Sequence, residues 1–371
     1  MSNGSITDAA IHSASELGIQ VGLEVSSSLT SHPTGVQRYI DGVLAGLRQA
    51  GSVRVARLLK LSRWKKRTLV PRAPEPSRWY GPLPSGAFRD LDLIHCLDPT
   101  LPWSTHRKPL VVTIHDLYLA RHAKEVDPQV REKKLNRVLR VCRIANEIVV
   151  PTEAIKKELH ELADVNAAVS AVAHGISPRF FSDAFSSSTP LPQVPYALGF
   201  CGGVRKNLSR FSAAFLESRL FQAGWHLVVI GKPGPSELKD LPKALPAERL
   251  HFLGAVNEKT LLAAYKRAGV VCYPSVYEGF GLPVLEAMAA GRPVVTGGAG
   301  ATGEIAGDYA VKVDPLVVDD IARGLDLAVD IDDERLESAR TYAASFTWDT
   351  VGKRLERIYQ SAIGRSFRGA P

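Results

Sequence analysis

Short apolar runs alternate with amphipathic stretches along almost the whole chain. Residues 19–25, 91–94, 110–114, 147–150 and 169–172 are rich in Val, Ile and Leu, and their length and make-up predict buried strands. Residues 35–50 and 152–162 place apolar side chains at helical spacing, and Thr152 is well suited to cap the second helix. Residues 26–34 read as a polar loop. The stretch 182–195, SDAFSSSTPLPQVP, is rich in Ser and Pro and predicts a linker. The same alternation then restarts, with strands predicted at 196–200, 225–230, 251–253, 270–273, 293–296 and 310–313. Residues 351–363 predict a last amphipathic helix with no strand after it. Strands separated by helices imply parallel sheets, so the pattern predicts an α/β protein with two doubly wound sheets and a cleft between them, where strand carboxyl ends face a ligand.

The totals fit that picture. With 371 residues, 45% hydrophobic and 23% charged, the chain is long enough for two ordinary cores. Residues 1–18 lack the basic start and apolar centre of a signal peptide, and no apolar run approaches a membrane span. Cys96, Cys142, Cys201 and Cys272 are scattered in or beside apolar stretches, which predicts buried reduced thiols and a cytoplasmic protein. The net charge is +8, and its distribution is uneven. Arg54, Arg57, Lys60, Arg63, Lys65, Lys66, Arg67, Arg72 and Arg78 face one acid, Glu75, across residues 54–78, with Trp64, Trp79 and Tyr80 among or just after them. That segment reads as a solvated basic loop, as contact with an anionic membrane surface, or as contact with a diphosphate-bearing acceptor. Nucleic acid is disfavoured, since no nucleic-acid-binding motif accompanies the charge.

The most informative stretch is YPSVYEGFGLPVLEAMAAG, residues 273–291. Gly279 and Gly281 let backbone approach a ligand closely, and Pro283 suits the first turn of a helix that Gly291 can stop. The start of that helix, with the N–H groups around Phe280, Gly281 and Leu282, suits a phosphate. Glu286 inside the helix and Glu278 in the loop can each accept hydrogen bonds from hydroxyls. Two carboxylates flanking an anion site describe a nucleotide-sugar pocket, although their spacing alone also fits an acid/base pair.

Other constellations carry weaker signals. Gly202 and Gly203 end a strand and lead into Arg205, Lys206 and Asn207, a turn that can hold a diphosphate or serve as an ordinary glycine turn with surface bases. It has neither the P-loop spacing nor the third glycine of a dinucleotide fingerprint. Thr34 and Gly35 open a helix, as an ordinary cap or as a second backbone approach to phosphate. His115, just past the 110–114 strand, reads either as a structural histidine or as a group at the cleft, and His95 is a weaker case. The histidines and cysteines lack metal-site spacing, and the DxD triplets at Asp90/Asp92 and Asp330/Asp332 are poorly placed for a divalent ion.

Taken together these residues resemble a retaining glycosyltransferase of family 4 with the GT-B fold, two Rossmann-like domains facing a central cleft. EGFGLPVLEAMAAGRPVV is the most specific segment. TGVQRYIDGVL, VVTIHDL, VPTEAIKKEL, the RKN turn, RLHFLGAVNEKTLLAAY, GEIAGDYAVKVDP and FTWDTVGKRLERIY follow in family order, covering residues 22–359. The turn lacks the family's Pro, His174-Gly175 replaces Asn-Gly, and Gln37 breaks the small-residue start of the first helix. The resemblance implies an acceptor-binding domain at 1–181, a donor-binding domain at 196–347, and a final helix at 348–371 packing back on the first domain. It assigns Glu286 to the nucleotide ribose, Glu278 to the donor sugar, and Arg205 and Lys206 to the diphosphate, with Gly203 in the same turn. It places His115 near the sugar, Gly35 on phosphate, and Gly254 to Val256 near the base.

The implied reaction is transfer of a hexose with retention, using no cofactor and no metal, and with no carboxylate nucleophile. The flavour is that of bacterial mannosyltransferases, so GDP-mannose leads as donor, with UDP-glucose and UDP-N-acetylhexosamines open. The acceptor expected is a glycan or a polyprenyl-diphosphate-linked sugar in surface polysaccharide or lipopolysaccharide assembly, reached by peripheral docking on the inner membrane face. A nucleotide-sugar epimerase of GT-B fold and a non-catalytic nucleotide-sugar-binding protein are the alternatives.

Overall fold

A computed structural model describes residues 18–30, 35–70, 73–82, 86–102, 108–121, 127–182 and 191–368. Thr34, Arg72, the first seventeen residues and most of the predicted linker lie outside these. The chain divides into two compact units, residues 1–151, 156–175 and 347–371 forming the first and residues 152–155 and 176–346 the second.

The first unit is built on a seven-stranded sheet of order β3-β2-β1-β4-β5-β6-β7. Its strands are β1 Ile19–Glu24, β2 Val53–Lys60, β3 Ser77–Tyr80, β4 Leu93–Cys96, β5 Leu110–Thr113, β6 Glu147–Val150 and β7 Ala168–Ala171, with every neighbouring pair parallel. Helices Gly35–Ala50, Pro128–Ile144 and Glu153–Leu162 accompany it. Val21 and Leu23 of β1, Leu93 of β4 and Val111 of β5 share a core with Ile40, Val43 and Leu47 of the first helix. Val351, Leu355 and Tyr359, from helix Trp348–Arg368, complete that core.

That last helix lies unusually close to helix Gly35–Ala50, because glycines line the crossing. A Cβ added at Gly46 would sit 2.1 Å from the Trp348 carbonyl oxygen, one at Gly42 2.1 Å from the Trp348 ring, and one at Gly352 2.3 Å from the Gly46 oxygen. Without side chains at these positions the two backbones come within van der Waals contact. His95, just past the strand predicted at 91–94, lies inside β4 and is fully buried, bonded to the Thr113 hydroxyl at 2.9 Å and the Tyr359 hydroxyl at 2.8 Å.

β2 and β3 correct the reading of residues 54–78 as one basic segment. β2 is buried on both faces over most of its length, and Arg57 and Lys60 are buried with it. The Lys60 ammonium donates to the Thr100 and Leu101 carbonyls at 3.3 and 3.0 Å, and Arg78 forms a two-pronged pair with Asp90 at 2.5 and 2.8 Å. The exposed bases concentrate in the turn of helix Leu61–Leu69, beside Leu61, Trp64 and Leu69. There Trp64 meets Trp79 edge-on at 4.9 Å and Arg67 lies over its ring.

The second unit has a six-stranded sheet of order β10-β9-β8-β11-β12-β13. Its strands are β8 Tyr196–Phe200, β9 His226–Ile230, β10 Leu250–Gly254, β11 Val270–Tyr273, β12 Val294–Gly297 and β13 Val311–Val313, again all parallel. Phe211 and Phe215 of helix Leu208–Glu217 and Ile321 and Leu325 of helix Val318–Ala328 pack with Leu227, Val270 and Val295. Both sheets reverse direction of strand addition once, between β1 and β4 and between β8 and β11. In open α/β sheets ligands collect outside the carboxyl ends of strands at such a reversal.

Candidate active site

The reversal in the second unit brings together the segments after β8 and β11. Chain leaving β8 passes through Gly202 and Gly203, at φ of 109° and 137°, into the one-turn helix Val204–Lys206. Asn207 follows at φ 61°, a left-handed conformation it tolerates better than most side chains do. Its amide donates to the Pro274 carbonyl at 3.0 Å and the Pro315 carbonyl at 2.6 Å, tying this turn to the loops after β11 and β13. The Arg205 carbonyl accepts from Val276 N–H at 2.9 Å, and the Ser275 hydroxyl, whose single hydrogen is shared with Glu278, lies 2.8 Å from it. The RKN turn and the YPSVYE loop are thus one hydrogen-bonded unit.

Lys206 and Glu278 meet at its centre. The Lys206 ammonium donates to Glu278 Oε1 at 2.8 Å and contacts the Tyr273 hydroxyl. The same carboxylate oxygen accepts from the Tyr273 and Ser275 hydroxyls, each at 2.7 Å. Burial pushes the Glu278 carboxyl up, but the charges of Lys206 and Arg205 and the hydrogen bonds from Lys206 and Ser275 outweigh it and hold it below its ordinary value. Glu278 is therefore ionised at neutral pH. Burial, with the nearby Glu278 charge, pushes the Tyr273 phenol well up, so it stays a donor.

Glu286 lies on helix Leu282–Ala289, which is buried all round from Val284 onwards, and its Oε2 accepts from the Tyr265 hydroxyl at 2.8 Å. Phe200 stands edge-on to Tyr273 at 5.6 Å and tilted against Tyr265 at 5.9 Å, so one ring supports the partners of both glutamates. Gly281 precedes the helix at φ 100°, Pro283 occupies its first turn, and Phe280 is buried. Gly291 stops it at φ 70°, its N–H donating to Met288 O and that of Arg292 to Ala287 O. Gly254, at φ 67°, ends β10 and accepts from Gly231 N–H at 2.9 Å, and Val256 is half-buried in the following loop.

Gly203 lies where the sequence puts it, but its N–H is engaged. The Gly202 and Gly203 N–H groups donate to Glu237 Oε1 and Oε2 at 3.2 and 3.1 Å. Glu237 went unnoticed in the sequence, where a single acid after GKPGPS carries no signal. Tyr265, Tyr273 and Ser275 were equally unmarked, although two of them lie inside the stretch that drew attention to Glu278.

His115 and Gly35 belong to the first unit. The His115 Nε2–H donates to the Leu97 carbonyl at 2.8 Å, and its ring meets Tyr39 edge-on at 4.7 Å. Burial pushes its pKa down, against weaker opposing effects of Leu97, Asp98 and Asp116, so the neutral ring dominates near neutral pH and presents Nδ1 as an acceptor. Gly35 opens helix Gly35–Ala50 with open space around its Cα. Of the DxD letters, Asp90 is taken by Arg78, Asp330 by Arg219, and Asp332 caps helix Asp333–Ala344. Among the described residues no three acidic, His or Cys side chains converge as a metal site would need.

Comparison with known proteins gives this arrangement a family. Residues 33–180 match the family model described as Glycosyltransferase Family 4, and residues 203–346 that described as Glycosyl transferases group 1. The MMP alpha-(1->4)-mannosyltransferase of Mycolicibacterium hassiacum is 35% identical over 139 residues, 36% of this chain and 34% of that protein. The D-inositol 3-phosphate glycosyltransferase of Corynebacterium kroppenstedtii is 28% identical over 284 residues, 69% of this chain and 63% of that protein. The chain thus spans less than two thirds of these relatives' lengths. Among solved structures, the sucrose-phosphate synthase of Thermosynechococcus elongatus superposes with a TM-score of 0.72 at 16% identity, over 94% of this chain and all of that one. Anabaena HepE, solved in complex with UDP and glucose, gives 0.70 at 15% identity, over 92% of this chain and all of that one. These two establish fold alone. With both family models matched in order and the fold shared, the chain belongs to the family 4-like glycosyltransferases of GT-B fold.

Proposed function

We propose that the protein transfers a hexose, mannose first, from a nucleoside-diphosphate sugar, GDP-mannose first, to an acceptor hydroxyl with retention of configuration. The observation that carries this reading is the Lys206–Glu278 pair, bound by Tyr273 and Ser275 and flanked by Arg205, at the strand reversal of the second unit. Two bases there suit a leaving diphosphate, whose negative charge grows as the sugar–phosphate bond breaks. The bond from the sugar C1 to phosphate oxygen breaks, a bond from C1 to the acceptor oxygen forms on the same face, and the departing phosphate oxygen takes the acceptor proton. Glu278 orients sugar hydroxyls and forms no covalent bond. Its Oε1 is held by Lys206, Tyr273 and Ser275, which fixes the carboxylate for that orienting role. Glu286 takes the ribose, and His115 offers Nδ1 to a donor-sugar hydroxyl. The bases are assigned the charge-neutralising role, so turnover is expected to survive EDTA. The names of the mycobacterial relative and of the O-antigen chain mannosyltransferase B of Escherichia coli, 38% identical over 114 residues, favour mannose.

A thermal-shift screen of GDP, UDP, GDP-mannose, UDP-glucose and UDP-N-acetylglucosamine tests donor binding, because a ligand at a hundred times its Kd stabilises the fold by about 2.7 kcal/mol. Product analysis with and without added acceptor then tests transfer. The reading fails if no nucleotide or nucleotide sugar shifts the melting curve, or if an epimerised nucleotide sugar forms without acceptor.

We further propose that the acceptor is a glycan or a polyprenyl-diphosphate-linked sugar, met at the cytoplasmic face of an anionic membrane. No helix among the described residues is long and apolar enough to cross a membrane. The support for surface docking is the exposed turn 61–69, where Leu61, Trp64 and Leu69 stand among Arg63, Lys65, Lys66 and Arg67. Each base near an anionic surface contributes about 1 kcal/mol, so replacing Lys65, Lys66 and Arg67 by Ser is expected to weaken binding to phosphatidylglycerol vesicles about a hundredfold. Equal sedimentation of wild type and triple variant with those vesicles would overturn the docking surface.

A further inference from the structure

Glu237 stands outside the groups assigned to the reaction, yet it grips the segment that carries them. It is buried, on the short helix Pro235–Lys239 after β9. Its carboxylate accepts from three backbone N–H groups: Gly202 at 3.2 Å, Gly203 at 3.1 Å and Gly234 at 2.8 Å. Gly202 and Gly203 both have positive φ, a conformation costly to any other residue and soft in glycine. Left alone, two consecutive glycines would sample many turns. Gly203 is also the first anchor of the turn that follows, since its carbonyl accepts from Lys206 N–H at 2.8 Å. The charge of Glu237 is felt next door: burial first, and then Glu237, pushes the Cys201 thiol up to about 12.

Resting on the proposed function, we propose that Glu237 is a positioning residue that acts as a built-in anion. It fills the N–H cluster of the glycine turn, fixes the turn, and thereby aims Arg205 and Lys206. The donor diphosphate is then met by the two side chains and is kept off the turn's N–H groups, where a carboxylate already sits. The glycine turn is on this account a mount for the basic pair and no phosphate cradle.

The test compares wild type with Glu237→Ala and Glu237→Gln, all checked for native circular dichroism. The first readout is titration of the Glu278 carboxyl by ¹³C NMR, which requires no nucleotide. Loss of a neighbouring negative charge would by itself lower the pKa of Glu278. Displacement of Lys206 would raise it. A rise in Glu237→Ala, reversed by added formate or by the Gln side chain, supports positioning, whereas an unchanged or lowered value overturns it. The second readout is the affinity for GDP and UDP. The variant Glu237→Ala is expected to bind about tenfold more weakly, the scale of one lost loop restraint, with formate restoring binding. Equal or tighter binding would mean that the diphosphate uses the vacated N–H groups, and would overturn the inference. If wild type itself binds neither nucleotide, the donor reading falls while the Glu278 titration still decides the role of Glu237.

Discussion

Lys206→Met is expected to lower kcat/KM for the donor sugar by about 10²–10³-fold, the usual scale for removing one group that stabilises developing charge. Met keeps the apolar stem and removes only the ammonium. Two losses then coincide. On the proposed mechanism the leaving diphosphate loses a cation, and Glu278, with only 10% of its side chain exposed, loses its counter-charge. Because the wild-type carboxyl is held below its ordinary value, it contributes stability that is present above the unfolded carboxyl range and is lost as pH falls through the folded value. Without Lys206 the raising effect of burial is less opposed. The residual activity of Lys206→Met should therefore fall off at a higher pH on the acid side than that of wild type. Arg205→Ala is expected to lower turnover on the same scale with little change in melting temperature. Steady-state donor kinetics across pH measure both, and near-normal turnover in the two variants would sink the diphosphate role.

Gly46→Ala is expected to destabilise the protein, against the general rule for a helix interior. In an exposed helix the change gains about 1 kcal/mol of propensity. Here the new methyl would lie 2.1 Å from the Trp348 carbonyl oxygen, 2.9 Å from its carbon and 3.2 Å from Gly352 N. All three are backbone atoms, so no side chain can swing away and the two helices must part. Overpacking of this kind costs about 1–3 kcal/mol, and Gly46→Val should exceed it. The core residues Val351, Leu355 and Tyr359 would separate from Ile40, Val43 and Leu47 along with the crossing. Thermal unfolding followed by circular dichroism reads the effect; a melting temperature equal to or above wild type would show that the crossing has slack.

The fold class was readable because the strands at 196–200 and 270–273 are apolar and run into the Gly202-Gly203 and Pro274 signals. β2 escaped because Arg57 and Lys60 interrupt VRVARLLK, and a charge inside a short strand reads as exposure. Only the tertiary partners, carbonyls at Thr100 and Leu101, make Lys60 a buried residue. The meeting of Lys206 with Glu278 was legible as two motifs at strand ends, since a doubly wound order brings the first and fourth strands side by side. What the motifs could not disclose is how the meeting is held. Asn207 reaches two carbonyls from distant loops, Tyr265 reaches Glu286 across helices, and Glu237 reaches back to glycines more than thirty positions earlier. Such contacts depend on sheet order and leave no periodic trace in the chain.

The helix Trp348–Arg368 has a consequence for how the molecule comes into being. Its side chains complete the same core as β1, yet more than three hundred residues of chain separate them. On a ribosome, where domains generally fold in order of synthesis, the second unit has all its strands before that helix is made. Until then the core formed by Ile40, Val43 and Leu47 lacks Val351, Leu355 and Tyr359. Translation therefore finishes the two units in the reverse of the order in which it starts them, and a chaperone that shields the incomplete core would act throughout synthesis of the later unit.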